Sequence, residues 1–170
     1  MSVDFQQAIL PHMDAAYNLA RWLTRNEQAA EDMVQDSCVR AFKSFGGFRG
    51  GDARAWILAI VRNTCFTWLA KNKAHVPIVE FNDEIETADA EALDPATLAA
   101  RGADSEAVRA ALEDLPPEFR EAVVLRELEG LSYKEIAAVA GVPVGTVMSR
   151  LSRARKRLEH SLAAGAEGGH

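Results

Sequence analysis

Thr146, Ser149, Arg150, Arg153 and Arg157 recur at i, i+3, i+4, i+7 and i+11, so they share one side of a helix. Hydroxyls and guanidinium groups so placed suit the groups a duplex displays: arginine takes guanine O6 and N7 in bidentate fashion, and a serine or threonine hydroxyl serves base or phosphate. Val147, Leu151, Ala154 and Leu158 form a second, apolar side that must pack inward. Ahead of this helix, Ser132 and Glu135 have the S-x-x-E spacing of a capping box, and Ile136, Ala137 and Ala140 give the helix they open a narrow apolar face. Gly141 follows where the chain must turn sharply, a conformation glycine enters without steric cost. Pro143 suits the first turn of the next helix, where its missing N–H has no intrahelical partner. Together these describe a helix-turn-helix whose second helix reads DNA. The plain alternative is a solvated basic helix, and the capped helix, glycine turn and proline weigh against it.

The elements that must position this helix are set by length and composition. The chain has 170 residues, 48% of them hydrophobic, enough for a globular core in one domain or two small ones. No apolar run approaches the about 20 residues of a membrane span. The first residues, MSVDFQQAIL, show no basic region followed by an apolar core, so no secretory signal is expected. Cys38 and Cys65 lie far apart without a C-x-x-C pattern and read as buried thiols in a reducing cytoplasm. The four histidines show no ligand spacing, and neither a metal nor a cofactor is expected. The net charge of −6 is at odds with a DNA-binding chain until it is located. Residues 74–104 hold eight acids and one base, leaving 17 acids and 18 bases elsewhere. The acidity belongs to one segment.

The residues before that segment read as three helices. The first, from about Asp4 to Asn26, has its stripe on Ile9, Met13, Ala16, Leu19, Ala20 and Leu23, with Pro11 in a first turn or at a break. The second, about Gln28 to Phe45, carries Met33, Val34, Ala41 and Phe42 on one face. Asp32, Gln35, Asp36 and Arg40 are on its other face, which by itself reads as solvated surface. A loop of two phenylalanines and four glycines, FGGFRGGD, precedes a third helix from about Ala53 to Lys71. That loop lacks the G-x-x-x-x-G-K-[ST] and G-x-G-x-x-G patterns, which argues against a nucleotide site. Trp56 and Phe66 read locally as core, beside a basic, amide-bearing edge of Arg54, Arg62 and Asn63.

Two stretches carry a family resemblance. AAEDMVQDSCVRAFKSF with FRGGDARAWILAIVRNTCFTWLAK resembles the second domain of bacterial sigma factors, and LEDLPPEFREAVVLRELEGLSYKEIAAVAGVPVGTVMSRLSRARKRL resembles their fourth. The pair, with only a short acidic connection, resembles the extracytoplasmic-function (ECF) group of the sigma-70 superfamily over about Phe5 to Leu158. The resemblance implies an all-α fold of two small helical domains, residues 1–73 and 105–162, joined by a flexible acidic linker over 74–104 and ending in a frayed tail over 163–170. It implies that Asp32, Gln35, Asp36 and Arg40 face the β′ clamp helices of the RNA polymerase core. Phe48, Arg49, Arg54, Arg62 and Asn63 would serve the −10 element, Phe48 and Asn63 lining a pocket for a flipped base. Extruding that base costs a few kcal/mol that stacking and hydrogen bonds must offset. Tyr133, Lys134, Thr146, Met148, Ser149, Arg150, Arg153 and Arg157 would read the −35 element as duplex. Tyr133 and Lys134 would touch phosphate with the help of the positive end of their helix dipole. Met148 stands where many relatives carry a basic residue, which leaves the base preference there open.

The implied partners are core polymerase (β′ clamp helices and β flap), promoter DNA and an anti-sigma factor. The linker would thread the polymerase near the template strand, although a plain solvated linker explains its composition equally well. No nucleophile, paired carboxylate or metal constellation appears, so the polymerase would do the chemistry. The rival reading, a stand-alone helix-turn-helix regulator, accounts for the C-terminal half and leaves FRGGDARAWILAIVRN without a task.

Overall fold

The computed structural model describes residues 4–48, 50–72 and 105–168; Arg49 and the expected linker lie outside the described residues. The chain divides into two compact units. Every regular element among the described residues is helical.

The N-terminal unit begins with α1 (Phe5–Ile9), where Asp4 Oδ1 accepts from the Gln6 N–H at 3.2 Å. Pro11 lies in a 3-10 turn, Leu10–His12, that breaks the first predicted helix in two and leads into α2 (Met13–Thr24). Ile9, Ala16, Leu19, Ala20 and Leu23 are buried as the stripe predicts. Arg25 takes a left-handed conformation, φ 56°, to end α2. Asn26 then caps α3 (Glu27–Ser44), its side-chain oxygen accepting from the Ala29 N–H at 2.8 Å. The buried positions of α3 are small, Ala29, Ala30, Ser37 and Ala41. Small side chains let α3 lie close to its neighbours and leave most of its perimeter in solvent. Phe42, expected inside, is 67% exposed: its neighbour Ala41 takes the buried position, and the next residue is about 100° further round.

A second 3-10 turn, Phe45–Gly47, leads into the glycine loop, and α4 (Ala53–Asn72) follows. Asp52 caps α4, accepting from the Ala55 N–H at 3.1 Å. The side of α4 that packs against α2 and α3 carries Ile57, Leu58, Val61, Thr64, Cys65 and Leu69. Trp56 and Phe66, expected as core, are half-buried at its margin.

Residues 105–168 comprise α5 (Ser105–Glu113), α6 (Pro117–Val123), a π-helical turn (Val124–Leu128), α7 (Tyr133–Ala140) and α8 (Val144–Gly168). α5 and α6 both pack on α8, enclosing Leu112, Leu115, Phe119, Val123, Val147, Leu151, Ala154 and Leu158. Arg120, 1% exposed, ties the end of α5 to α6: its Nη1 donates to the carbonyls of Leu115 at 2.7 Å and Glu113 at 3.1 Å. Those are C-terminal carbonyls that no intrahelical N–H reaches. From the sequence, Leu128 is expected in one small core with Leu112, Leu115, Phe119 and Val123, and the π turn takes it out. The Glu129 N–H reaches Val124 O at 3.1 Å and the Leu131 N–H reaches Leu125 O at 2.9 Å, so the buried register passes to Val124, Leu125 and Leu131. Leu128 is left 48% exposed. α8 also runs past residue 162, to Gly168, through a stretch rich in alanine, the strongest helix former.

The register of the π turn makes a direct prediction. Leu125→Ala should lower unfolding stability by about 3 kcal/mol, and Leu128→Ala by less than about 1 kcal/mol. Urea unfolding followed by circular dichroism distinguishes them, and equal losses would contradict the π turn.

Candidate nucleic-acid interface

The capping box predicted before α7 is formed in both directions: the Ser132 N–H donates to Glu135 Oε1 at 3.0 Å, and the Glu135 N–H donates to Ser132 Oγ at 3.1 Å. Gly141 has φ 69°, and the Val142 N–H reaches back to Ala137 O at 3.1 Å, closing the end of α7. Pro143 stands immediately before α8 and supplies a carbonyl to the N–H groups of Thr146 at 3.0 Å and Val147 at 3.2 Å. Because it precedes the first helical turn, its missing N–H costs α8 no hydrogen bond.

With Val147, Leu151, Ala154 and Leu158 buried, the rotation of α8 is fixed. Thr146, Ser149 and Arg153 then lie half-buried along one side of its N-terminal half. Arg150 borders the packed side and is only 8% exposed. Arg157 is exposed, but its guanidinium stands 5.4 Å from the centre of the Phe119 ring and shares a shallow depression with Asp114, Lys156 and His160. Met148 is half-buried and sits about 200° round the helix from Thr146. It can join Thr146 only if α8 enters a groove by its N-terminal end, as recognition helices do. Lys134 is exposed at the start of α7. Tyr133 beside it is half-buried under the Arg126 guanidinium at 4.6 Å, and Arg126 Nη1 donates to Leu131 O at 2.9 Å. Arg126 was not singled out from sequence, because nothing in its surroundings announces the pairing with Tyr133.

In the N-terminal unit the glycine loop is flanked by rings. Phe48 stacks on Phe45 with centroids 5.6 Å apart and planes 25° from parallel, and lies 5.1 Å from Trp56. Phe45 meets Trp56 edge-on at 6.1 Å. Gly50 has φ 77°, so the loop passes through a conformation other residues rarely enter. Two turns along α4 from Trp56, and on the same side of the helix, Asn63 is exposed. Arg62 Nη1 donates to Asn63 Oδ1 at 3.3 Å while its guanidinium lies 4.0 Å over the Phe66 ring. Arg54 is half-buried in the first turn of α4. The unit therefore carries aromatic rings, an exposed amide and guanidinium groups along α4, a composition that suits unstacked bases and their phosphates. Trp56 escaped the sequence reading as a candidate because a ring at helical spacing reads as core.

On α3, Asp32, Gln35 and Arg40 are exposed and Asp36 half-buried. Arg40 Nε donates to Asp36 Oδ2 at 3.2 Å, and Gln28 Nε2 donates to Asp32 Oδ1 at 3.1 Å. Val39, 52% exposed, and Phe42 add apolar area to this polar side. A polar face with two uncovered hydrophobic side chains has the character of a docking surface. No group of side chains suited to a metal occurs among the described residues. Cys38 and Cys65 are free thiols, and burial pushes the Cys38 thiol above its ordinary value. Among the described residues, no helix is long and apolar enough to cross a membrane.

Fold and sites together define a class: a protein whose described residues are helical, with aromatic rings and an exposed amide in one unit and a capped helix-turn-helix in the other. Comparison with known proteins narrows it. Residues 8–75 match the family model for sigma-70 region 2, and residues 105–158 match sigma-70 region 4. The chain is 36% identical over 156 residues to the ECF RNA polymerase sigma-E factor of Haemophilus influenzae, covering 85% of this chain and 79% of that protein. It is also 36% identical over 162 residues to the ECF RNA polymerase sigma factor SigE of Mycolicibacterium smegmatis, covering 94% of this chain but only 62% of that longer protein. Among solved structures it resembles the sigma factor RpoE in complex with the anti-sigma factor NepR from Bartonella quintana, with a TM-score of 0.70, 28% identity, and coverage of 94% of this chain and 97% of that one. It likewise resembles CnrH in complex with the cytosolic domain of CnrY, at a TM-score of 0.65 and 28% identity, covering 94% of this chain and 88% of that one. The chain belongs to the ECF group of the sigma-70 family of RNA polymerase sigma factors.

The turn before α8 can be tested without DNA. Gly141→Ala forces a Cβ into the left-handed region and should cost about 1–2 kcal/mol of stability. Gly145→Ala, in the first turn of α8 with open space around it, should gain up to about 1 kcal/mol. Urea unfolding of the two variants should shift in opposite directions, and a shift in the same direction would contradict the turn geometry.

Proposed function

We propose that this chain is a dissociable specificity subunit of RNA polymerase that selects promoters and promotes their melting at initiation. What carries the reading is the coincidence, on one chain and in order, of a region 2 match over the aromatic, amide-bearing unit and a region 4 match over the capped helix-turn-helix. The polar and partly apolar side of α3 docks on the β′ clamp helices, through Asp32, Gln35, Asp36 and Arg40 with Val39 and Phe42 beside them. Phe48 and Asn63 receive an unpaired base of the −10 element: the ring stacks on it and the amide both donates to and accepts from its edge. Arg49, Arg54 and Arg62 offer charge to the strand. Thr146, Ser149 and Arg153, with Met148 at the helix tip, read the −35 element, while Tyr133 and Lys134 hold phosphate. The burial of Arg150 and the engagement of Arg157 with Phe119 make them secondary contributors.

Each unit alone offers few phosphate contacts, so free chain binds DNA weakly. Holding both units on the polymerase, whose β flap takes the C-terminal one, turns two modest sites into one strong one through effective concentration. The chain performs no catalysis and works in the cytoplasm. Its activity is restrained by an anti-sigma factor, a reading supported by the similar solved sigma factor that is bound to one.

Run-off transcription with bacterial core polymerase on a promoter library tests this. The wild-type chain should create start sites absent without it. Asn63→Ala and Arg153→Ala should each cut their yield by about tenfold, the loss of one good base contact. Start sites that do not depend on the chain, or two silent variants, would contradict the proposal.

A further inference from the structure

Close packing around its glycines does not hold the loop: a Cβ added at Gly46, Gly47, Gly50 or Gly51 would meet nothing within 4 Å, and only the left-handed φ of Gly50 calls for glycine. What locates Phe48 is its N–H bond to Phe45 O at 3.0 Å, its stack on the Phe45 ring and the approach of Trp56. Trp56 rides on α4, a 20-residue helix with a buried side. Phe45 lies just past the end of α3, and there a further ring reaches it. Phe5 of α1 stands edge-on to Phe45 at 5.3 Å and 85°, and edge-on to Phe42 at 5.4 Å and 90°. α1 is itself fixed by the buried Ile9 and capped by Asp4.

We infer that Phe5 is a positioning residue for the base-receiving loop: its edge contacts with Phe42 and Phe45 hold Phe45 at the angle on which Phe48 stacks. The inference rests on the reading of Phe48 and Asn63 given above. Edge-to-face pairs are directional, because the positive rim of one ring meets the negative face of another. An aliphatic side chain fills similar space without that preference. Phe42 extends the same run of rings to the exposed side of α3. Phe5 therefore joins the docking helix to the loop, although it lies 40 residues before Phe45 in sequence.

The test compares core polymerase carrying wild type, Phe5→Ala, Phe5→Leu or Phe5→Tyr on forked promoter oligonucleotides. Their single-stranded −10 segment holds either a base or an abasic site at each position in turn. Wild type should prefer base over abasic by about tenfold at one position. That ratio cancels changes in polymerase affinity or in the folded fraction, which a merely structural role would alter. Phe5→Ala and Phe5→Leu should each reduce the ratio about threefold or more, and Phe5→Tyr should retain it. A full ratio in Phe5→Ala, or rescue by leucine as complete as by tyrosine, overturns the inference. If wild type itself shows no base-dependent position, the reading of the loop fails first and takes this inference with it.

Discussion

A helix in a small domain can bury one side only, and the choice of side fixes where every other residue on it points. That constraint governs this protein. In α8 the stripe Val147, Leu151, Ala154 and Leu158 is enclosed by α5 and α6, which sets the direction of Thr146, Ser149 and Arg153. In α3 the stripe is made of alanines and one serine, so little of the helix is consumed by packing and a broad side stays available. In α4 the packed side carries Ile57, Leu58, Val61, Thr64, Cys65 and Leu69, which leaves Trp56 and Phe66 half-buried at its margin. The surfaces proposed for recognition are what remains once the packed sides are assigned.

The local devices serve the same end. The reciprocal Ser132–Glu135 cap and the left-handed Gly141 fix where α7 begins and ends, and so the point from which α8 departs. Arg120, buried and bonded to the carbonyls of Glu113 and Leu115, performs the matching task between α5 and α6. A small domain has few apolar side chains to spend on orientation. Hydrogen bonds to otherwise unsatisfied helix ends supply part of it.

Much of this was legible in the sequence, and the misses have physical causes. The cap, the glycine turn, the α8 stripe and the helical fold follow from short-range spacing, which one chain displays fully. Phe42 and Leu128 were misplaced for two different reasons. Ala41 and Phe42 are adjacent, so periodicity alone does not say which of them faces inward. Leu128 ends a π turn, whose wider bond pattern shifts the register by a step no residue type announces. The ring contacts of Phe5 with Phe42 and Phe45 were invisible because they join residues distant in the chain. The burial of Arg150 was hidden likewise: helical spacing placed it among the DNA-facing residues, and only packing reveals that it borders the enclosed side.

The central claim is that this chain opens promoter DNA only as part of a polymerase. Permanganate probing of unpaired thymines on a responsive promoter addresses it most directly, with the chain alone, core polymerase alone, and both together. The account predicts reactive thymines within the −10 segment only when both are present, and no protection of duplex by the chain alone at comparable concentration. Tight protection of a duplex site by the chain alone, with no opening when polymerase is added, would contradict it.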